Sequence, residues 1–92
     1  MDVNFYATLR SIVGQKTIQV NMPNGSTARQ LIDLVVNDYP DLGSELLDEN
    51  GDFRSHMKMF INGREAVYLE NQFGYIMKHT DKVDIFPPVG GG

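Results

Sequence analysis

Pro87 and Pro88, then Val89 and three successive glycines, Gly90, Gly91 and Gly92, close the sequence, and their types and order suit one kind of chemistry. Each proline lacks a backbone N–H, so the pair ends sheet pairing and biases the chain towards a stiff, extended polyproline conformation. Fully extended, residues 88–92 reach roughly 17 Å, enough to carry a terminal carboxylate into a partner's cleft while the folded body stays outside. Glycine has no Cβ, so such a tip passes a tunnel too narrow for side chains and leaves the last carbonyl carbon open on both faces. An α-carboxyl titrates near ~3.5 and is ionised at neutral pH, which makes it a poor electrophile until something activates it. The expected reactive atom is therefore the main-chain carbonyl carbon of Gly92, with Gly91 beside it. A glycine-rich end is also what a frayed terminus looks like; two prolines set directly between an alternating strand and the glycines are what mark an aimed tail.

Side-chain chemistry is thin by comparison. The sequence has no cysteine, which removes disulfides, thiolate metal sites and a thiol nucleophile. Any sulfur chemistry would have to run on something other than a side chain. His56 and His79 have no companions at ligand spacing, and no nucleophile has a base beside it. The acidic run from Asp48 to Asp52 lacks the spacing and closing glutamate of a calcium loop. Met57, Met59 and Met77 read as core filling. No bound cofactor, no metal and no independent active site are expected.

Ninety-two residues with 41% hydrophobic content make one small domain, able to bury ~60–65% of its unfolded surface. A net charge of −4 argues against nucleic acid or an anionic membrane as the partner, since both require a basic face. No apolar run nears the ~20 residues of a spanning helix, and the first residues lack the charged and apolar regions of a signal peptide. A cytoplasmic protein is expected.

The elements that must hold the tail follow from periodicity. Val3, Phe5, Ala7 and Leu9 alternate with Asn4, Tyr6 and Thr8 as a half-buried strand. Ser11 to Gln15 reads as a turn, and Ile18, Val20 and Met22 as a second strand forming an antiparallel hairpin with the first. Thr27 with Gln30 three residues on signals a capping box, and Ala28, Leu31, Ile32 and Val35 give a helix over 28–38 an apolar stripe that Pro40 terminates. Asp41 to Leu47 is expected to add one or two turns anchored by Leu42, Leu46 and Leu47. Met57, Met59 and Ile61 mark a third strand, Asn62-Gly63 a tight hairpin turn, and 65–68 a short fourth strand. The segment 69–79 reads as a connection with one helical turn, and Val83 to Phe86 as the final strand, with Val83 and Ile85 inward.

Hairpin, helix, hairpin and returning strand predict an α+β domain of the β-grasp, ubiquitin-like kind: a mixed sheet of four to five strands packed on one main helix. The body is expected over residues 1–87, with a flexible tail over 88–92. The last strand has to be central for a tail leaving it to be well anchored.

Three stretches carry a family resemblance: Phe5-Tyr6-Ala7-Thr8-Leu9-Arg10, Ile61-Asn62-Gly63-Arg64, and Val83-Asp84-Ile85-Phe86-Pro87-Pro88-Val89 with Gly91-Gly92. Together they resemble the MoaD family, the small subunits of molybdopterin synthase, related to ThiS and to the archaeal ubiquitin-like modifiers. The resemblance spans essentially the whole chain, and the terminal motif is its most specific part. It implies that a ubiquitin-activating-type (MoeB-like) enzyme uses ATP to adenylate Gly92, which then becomes a thiocarboxylate. It also implies sulfur donation to a pterin precursor within a complex with the large (MoaE-like) synthase subunit, for molybdenum or tungsten cofactor. Gly90 departs from the small residue that family members often carry there, which loosens the tip without changing its chemistry. Related readings are a modifier joined through Gly92 to lysines of target proteins, a carrier for thiamine or tRNA thiolation, and a binding module with an inert tail. The chain's length and its Phe-Pro-Pro-Val favour MoaD over the shorter ThiS.

Ordering the five tail residues costs ~1–2 kcal/mol each, less where Pro87 and Pro88 already restrict the chain, so a second surface must supply binding energy. Tyr6 lies on the polar parity of the first strand, and Phe60 and Phe86 on the outward parity of theirs. Were the first and last strands neighbours, Tyr6 and Phe86 would meet on the open sheet face at the root of the tail. The expected partner-binding set is Tyr6, Arg10, Phe60, Arg64 and Phe86 on the body, with the two arginines at the rim, and Pro87, Pro88, Val89 and Gly90 on the tail.

Overall fold

The computed structural model describes residues 1–88. Val89, Gly90, Gly91 and Gly92, on which the chemistry of the tail is expected, lie outside the described residues. In chain order the elements are β1 (Asp2–Phe5), α1 (Thr8–Val13), β2 (Thr17–Gln19), α2 (Ala28–Asp38), α3 (Gly43–Leu46), β3 (Lys58–Ile61), β4 (Arg64–Glu65) and β5 (Lys82–Phe86), with 3-10 turns at Pro40–Leu42, Ala66–Tyr68 and Gln72–Gly74.

The strands form one mixed sheet in the order β2-β1-β5-β3-β4. β5 is central, parallel to β1 and antiparallel to β3, while β2 and β4 are antiparallel edges. This is the expected β-grasp. Register fixes which side chains share a face. Val3 faces Val83 and Phe5 faces Ile85 across the parallel pair, and Ile61 and Met59 face the same two across the antiparallel one. These residues are all buried. Side chains alternate across a strand, so Asn4, Asp84, Phe86, Lys58 and Phe60 fall on the opposite face.

α2 covers the apolar face with Ala28, Leu31, Ile32 and Val35, joined in the core by Leu42 and Leu46. Thr27 and Gln30 form the expected reciprocal capping box, which stabilises the helix by about 1 kcal/mol. The helix ends at Asp38, and Pro40 opens the following 3-10 turn. Asn62 and Gly63 both have positive φ, 53° and 83°, the conformation that a two-residue hairpin loop matched to strand twist demands.

The structure differs from the periodicity in three places. The alternation through Ala7 and Leu9 predicts a longer first strand, yet the chain leaves the sheet after Phe5: Ala7 turns at φ 53° and ψ −127°, and α1 follows. Leu9 and Val13 then bury as a helical i, i+4 pair, and Gly14 closes α1 in the left-handed conformation with its N–H donated to the Arg10 carbonyl. Pairing of β1 with β2 is antiparallel as expected, but through a helical connection and not a tight turn. β2 stops at Gln19; Val20 and Met22 are buried all the same. β4 covers only Arg64 and Glu65, because Ala66 turns into the core as the start of a 3-10 turn and carries Val67 and Tyr68 outward.

Among the described residues no helix is long and apolar enough to cross a membrane.

Candidate functional site

The last residue of β5 is Phe86, and Pro87 and Pro88 leave from it. What surrounds that exit is set by register. Asn4 and Phe60 both face Asp84, from β1 and β3 respectively, and Lys58 faces Phe86. One row on the outer face therefore runs from a polar patch at Asn4 and Asp84 to an apolar one at Phe60 and Phe86.

The aromatic part is a three-ring cluster. Tyr6 stacks on Phe86 with ring centroids 4.2 Å apart and planes at 11°, and Phe60 meets Phe86 edge-on at 5.6 Å and 87°. All three rings are half-buried and shield one another in part. The Lys16 ammonium sits over the Tyr6 ring, 5.5 Å from its centroid, within cation–π range.

The polar part is a chain of side-chain hydrogen bonds. Thr17 Oγ1 donates to Asn4 Oδ1 at 2.6 Å, Asn4 Nδ2 donates to Asp84 Oδ1 at 3.0 Å, and Tyr6 Oη donates to the same oxygen at 2.8 Å. The bond to Asp84 raises the Tyr6 phenol above its ordinary value, with burial and the Asp84 charge adding to it and Arg10 opposing. A carboxylate beside the phenol disfavours phenolate.

Phe60, Asp84, Phe86, Pro87 and Pro88 line an open, mostly apolar groove of about 500 Å³, with His56, Lys58 and Gly63 completing its walls. Lys58 pairs with Glu65 at 3.5 Å. The groove lies where Pro87 and Pro88 leave the sheet. A second groove of about 410 Å³ lies between Thr27, Arg29, Asp52, Phe53, Phe73 and Gly74. Its one cation, Arg29, is engaged by Asp33 at 3.2 Å, by Asp52 at 3.8 Å and by the Gly51 carbonyl, so it offers little to an incoming anion.

Of the expected set, the structure brings Tyr6, Phe60, Phe86, Pro87 and Pro88 together. Arg10 stands exposed in the last turn of α1, close enough for its charge to act on Tyr6. Arg64 is placed differently: it faces Ile61 across β3 and β4, and Ile61 belongs to the core row, so register puts Arg64 on the opposite parity from Phe60. Val89, Gly90, Gly91 and Gly92 lie outside the described residues. Sequence reading missed Asp84, Asn4, Lys16 and Lys58. Asp84 carried a signal, since it shares the outward parity of Phe86; its partners are brought to it only by strand order.

A family model described as the ThiS family matches residues 3–92. The chain belongs to the ThiS family. Small archaeal modifier protein 3 of Haloferax volcanii is 33% identical over 92 residues, which cover all of this chain and 98% of that protein. The crystal structure of SAMP1 from Haloferax volcanii superposes with a TM-score of 0.89 at 26% identity, covering 99% of this chain and 97% of that one. The solution structure of SAMP1 from Methanosarcina acetivorans gives 0.80 at 25% identity, over 99% and 94% of the two chains. This ThiS-family chain has the ubiquitin-like β-grasp fold, and the aromatic groove lies at the end of its central strand, where Pro87 and Pro88 leave the sheet.

Proposed function

We propose that this protein carries sulfur as a thiocarboxylate on Gly92 and serves as the small subunit of a molybdopterin synthase. The observation that supports it best is the placing of Phe86-Pro87-Pro88 at the end of the central strand, beside an apolar groove and directly before the Val89-Gly90-Gly91-Gly92 sequence. A central strand is held by hydrogen bonds on both sides, so a tail leaving it has a fixed root.

The chemistry follows from the carboxylate. On a ubiquitin-activating-type, MoeB-like enzyme, a Gly92 carboxylate oxygen attacks the α-phosphorus of ATP and pyrophosphate departs, giving a mixed anhydride with AMP. A hydrosulfide donor then attacks the carbonyl carbon, the C–O bond to AMP breaks, and a proton is released as the thiocarboxylate forms. The domain contributes no acid or base; it binds and aims. Its groove supplies docking energy that offsets the ordering of the tail, and the same surface then serves the MoaE-like large subunit, where sulfur passes to a pterin precursor for molybdenum or tungsten cofactor.

A second reading shares the activation step and differs in the nucleophile: a lysine amine of a target protein attacks the adenylate, AMP leaves, and an isopeptide bond forms. It is favoured by the relative at 33% identity, whose name is that of a modifier. The test is to incubate the protein with the activating enzyme and ATP, once with a sulfide donor and once with cell extract. A terminal thiocarboxylate that yields molybdopterin with the large subunit supports the carrier. Tail remnants on target lysines support the modifier, and a product from neither reaction would contradict both.

A further inference from the structure

The hydrogen-bonded row beneath the aromatic cluster has a feature that docking alone does not account for. Asp84 stands on the wall of an apolar groove between Phe60 and Asn4 in register, a setting in which a charged side chain is unfavourable unless it is bonded. One of its oxygens takes both available donors, Asn4 Nδ2 and Tyr6 Oη. Asn4 is itself buried at 7% exposure and oriented from its other end by Thr17. Asn4 of β1 and the hydroxyl of Tyr6 just beyond it thus converge on a single acceptor in β5, with Thr17 of β2 bracing Asn4 from behind.

That hydroxyl fixes a plane. With the Cα end set by β1 and the Oη end set by Asp84, the Tyr6 ring has little freedom, and Phe86 lies flat against it at 4.2 Å. Phe60 closes the other side of Phe86 edge-on. Phe86 is also the residue before Pro87, so its backbone is already restricted to extended conformations by the following ring. A side chain clamped on two sides and a backbone limited to one region leave Pro87 and Pro88 one direction of departure.

We propose that Asp84 is a positioning residue for tail activation: acting through Tyr6 and Phe86, it presets both the aromatic wall of the groove and the direction in which Pro87 and Pro88 leave the sheet. This rests on the reading that Gly92 is adenylated by an activating enzyme. The role concerns capture of the tail and not reaction at the carbonyl carbon, so it belongs in KM and not in kcat. It also separates the hydroxyl of Tyr6 from its ring, since the ring makes the contact and the hydroxyl sets its orientation.

The experiment is ATP–pyrophosphate exchange by the activating enzyme from the source organism, with the full chain as substrate, on the wild type and on Asp84→Val, Asp84→Asn and Tyr6→Phe. Asp84→Val removes the acceptor and keeps a strand-compatible side chain. It is expected to raise KM for the carrier about five- to ten-fold, as loss of a charge-assisted hydrogen bond would, with kcat within about two-fold if only ground-state binding is lost. Tyr6→Phe is expected to move in the same direction, and Asp84→Asn, which retains Oδ1, to recover most of the loss. In parallel, the ring-current shifts that Tyr6 imposes on Phe86 and Pro87 protons in the NMR spectrum should shrink in Asp84→Val and persist in Asp84→Asn. Unchanged KM and unchanged shifts in Asp84→Val, with the wild type exchanging normally, would overturn the positioning role and leave the carrier reading standing. A wild type that supports no exchange would overturn the carrier reading and this role with it.

Discussion

Tyr6 and Phe86 lie face to face, 4.2 Å between ring centroids, although one follows the first strand and the other ends the last. Their meeting is a consequence of parallel register: Phe5 faces Ile85, and the next step along both strands sets these two rings side by side on the outer face. Neither ring is fully exposed, and the Tyr6 hydroxyl ties the pair to the polar row through Asp84. A double-mutant cycle of Tyr6→Ala and Phe86→Ala by urea unfolding is expected to give a coupling of about 0.5–1.5 kcal/mol, the range for an aromatic pair. Strictly additive effects would show that the rings do not stack in solution.

The Tyr6 phenol reports its carboxylate partner. The hydrogen bond to Asp84, followed by burial and the Asp84 charge, raises its pKa above 10.0 against the influence of Arg10. A raised value in the folded state means that the stabilisation is complete below the unfolded value and is lost as pH climbs through the folded one. Phenolate absorbance of a titrated sample should show both Tyr6 and Tyr75 ionising late, and Asp84→Val should bring Tyr6 alone back towards its ordinary value. Late ionisation of Tyr6 that survives the substitution would assign its shift to burial alone.

Asp81 is a buried acid, at 4% exposure. Burial pushes its carboxyl up, but the Lys78 amide at 2.8 Å, Asn62 Nδ2 at 2.8 Å and the Tyr75 hydroxyl at 3.0 Å, together with the Lys78 charge, outweigh it and hold the pKa below 3.8. Asn62 also donates its N–H to the Lys82 carbonyl and accepts from the Lys82 N–H, so Asp81 ties the β3–β4 turn to the start of β5. Asp81→Ala leaves these donors without their acceptor and is expected to cost about 2–4 kcal/mol in urea unfolding at neutral pH. Because the folded value lies below the unfolded one, the charge-linked part of that contribution is present above pH 3.8 and falls away as pH drops through the folded value. The gap between wild type and variant should therefore narrow in acid; a gap independent of pH would contradict the bonding pattern.

Ala7 holds φ 53° and ψ −127°, a conformation that suits glycine far better than a residue with a Cβ. Ala7→Gly is expected to raise stability by up to about 1 kcal/mol, the relief of strain exceeding the entropy that glycine loses, whereas Ala7→Val should destabilise. A destabilised glycine variant, measured by urea unfolding, would show that the turn into α1 is not strained.

The same residue explains how far the fold could be read. Ala7 and Leu9 continue the parity of Val3 and Phe5, so alternation alone extends the strand through them. Leu9 and Val13, four apart and followed by Gly14, carry the helical signal that the structure obeys. α2, the Asn62-Gly63 turn and the final strand were legible because caps, turn residues and periodicity agree locally. The three-ring cluster was legible in part, since parity puts Tyr6, Phe60 and Phe86 outward. The partners of Asp84 and Asp81 were not, because Asn4, Tyr6, Asn62 and Tyr75 reach them across strand pairs and loops, and spacing along the chain records nothing of that. Arg64 shows the limit of a hairpin reading: its sequence neighbours place it close to Phe60, and register turns it to the other parity.

The central claim is that the working atom is the carbonyl carbon of Gly92. The most direct measurement is intact mass, with fragmentation of the C-terminal peptide, after incubating the protein with its activating enzyme, ATP and a sulfide donor, beside a variant lacking Gly92. The account predicts one oxygen replaced by one sulfur, located on Gly92, in the full chain and no change in the shortened one. Sulfur found on any other residue, or equal modification of the shortened chain, would contradict it.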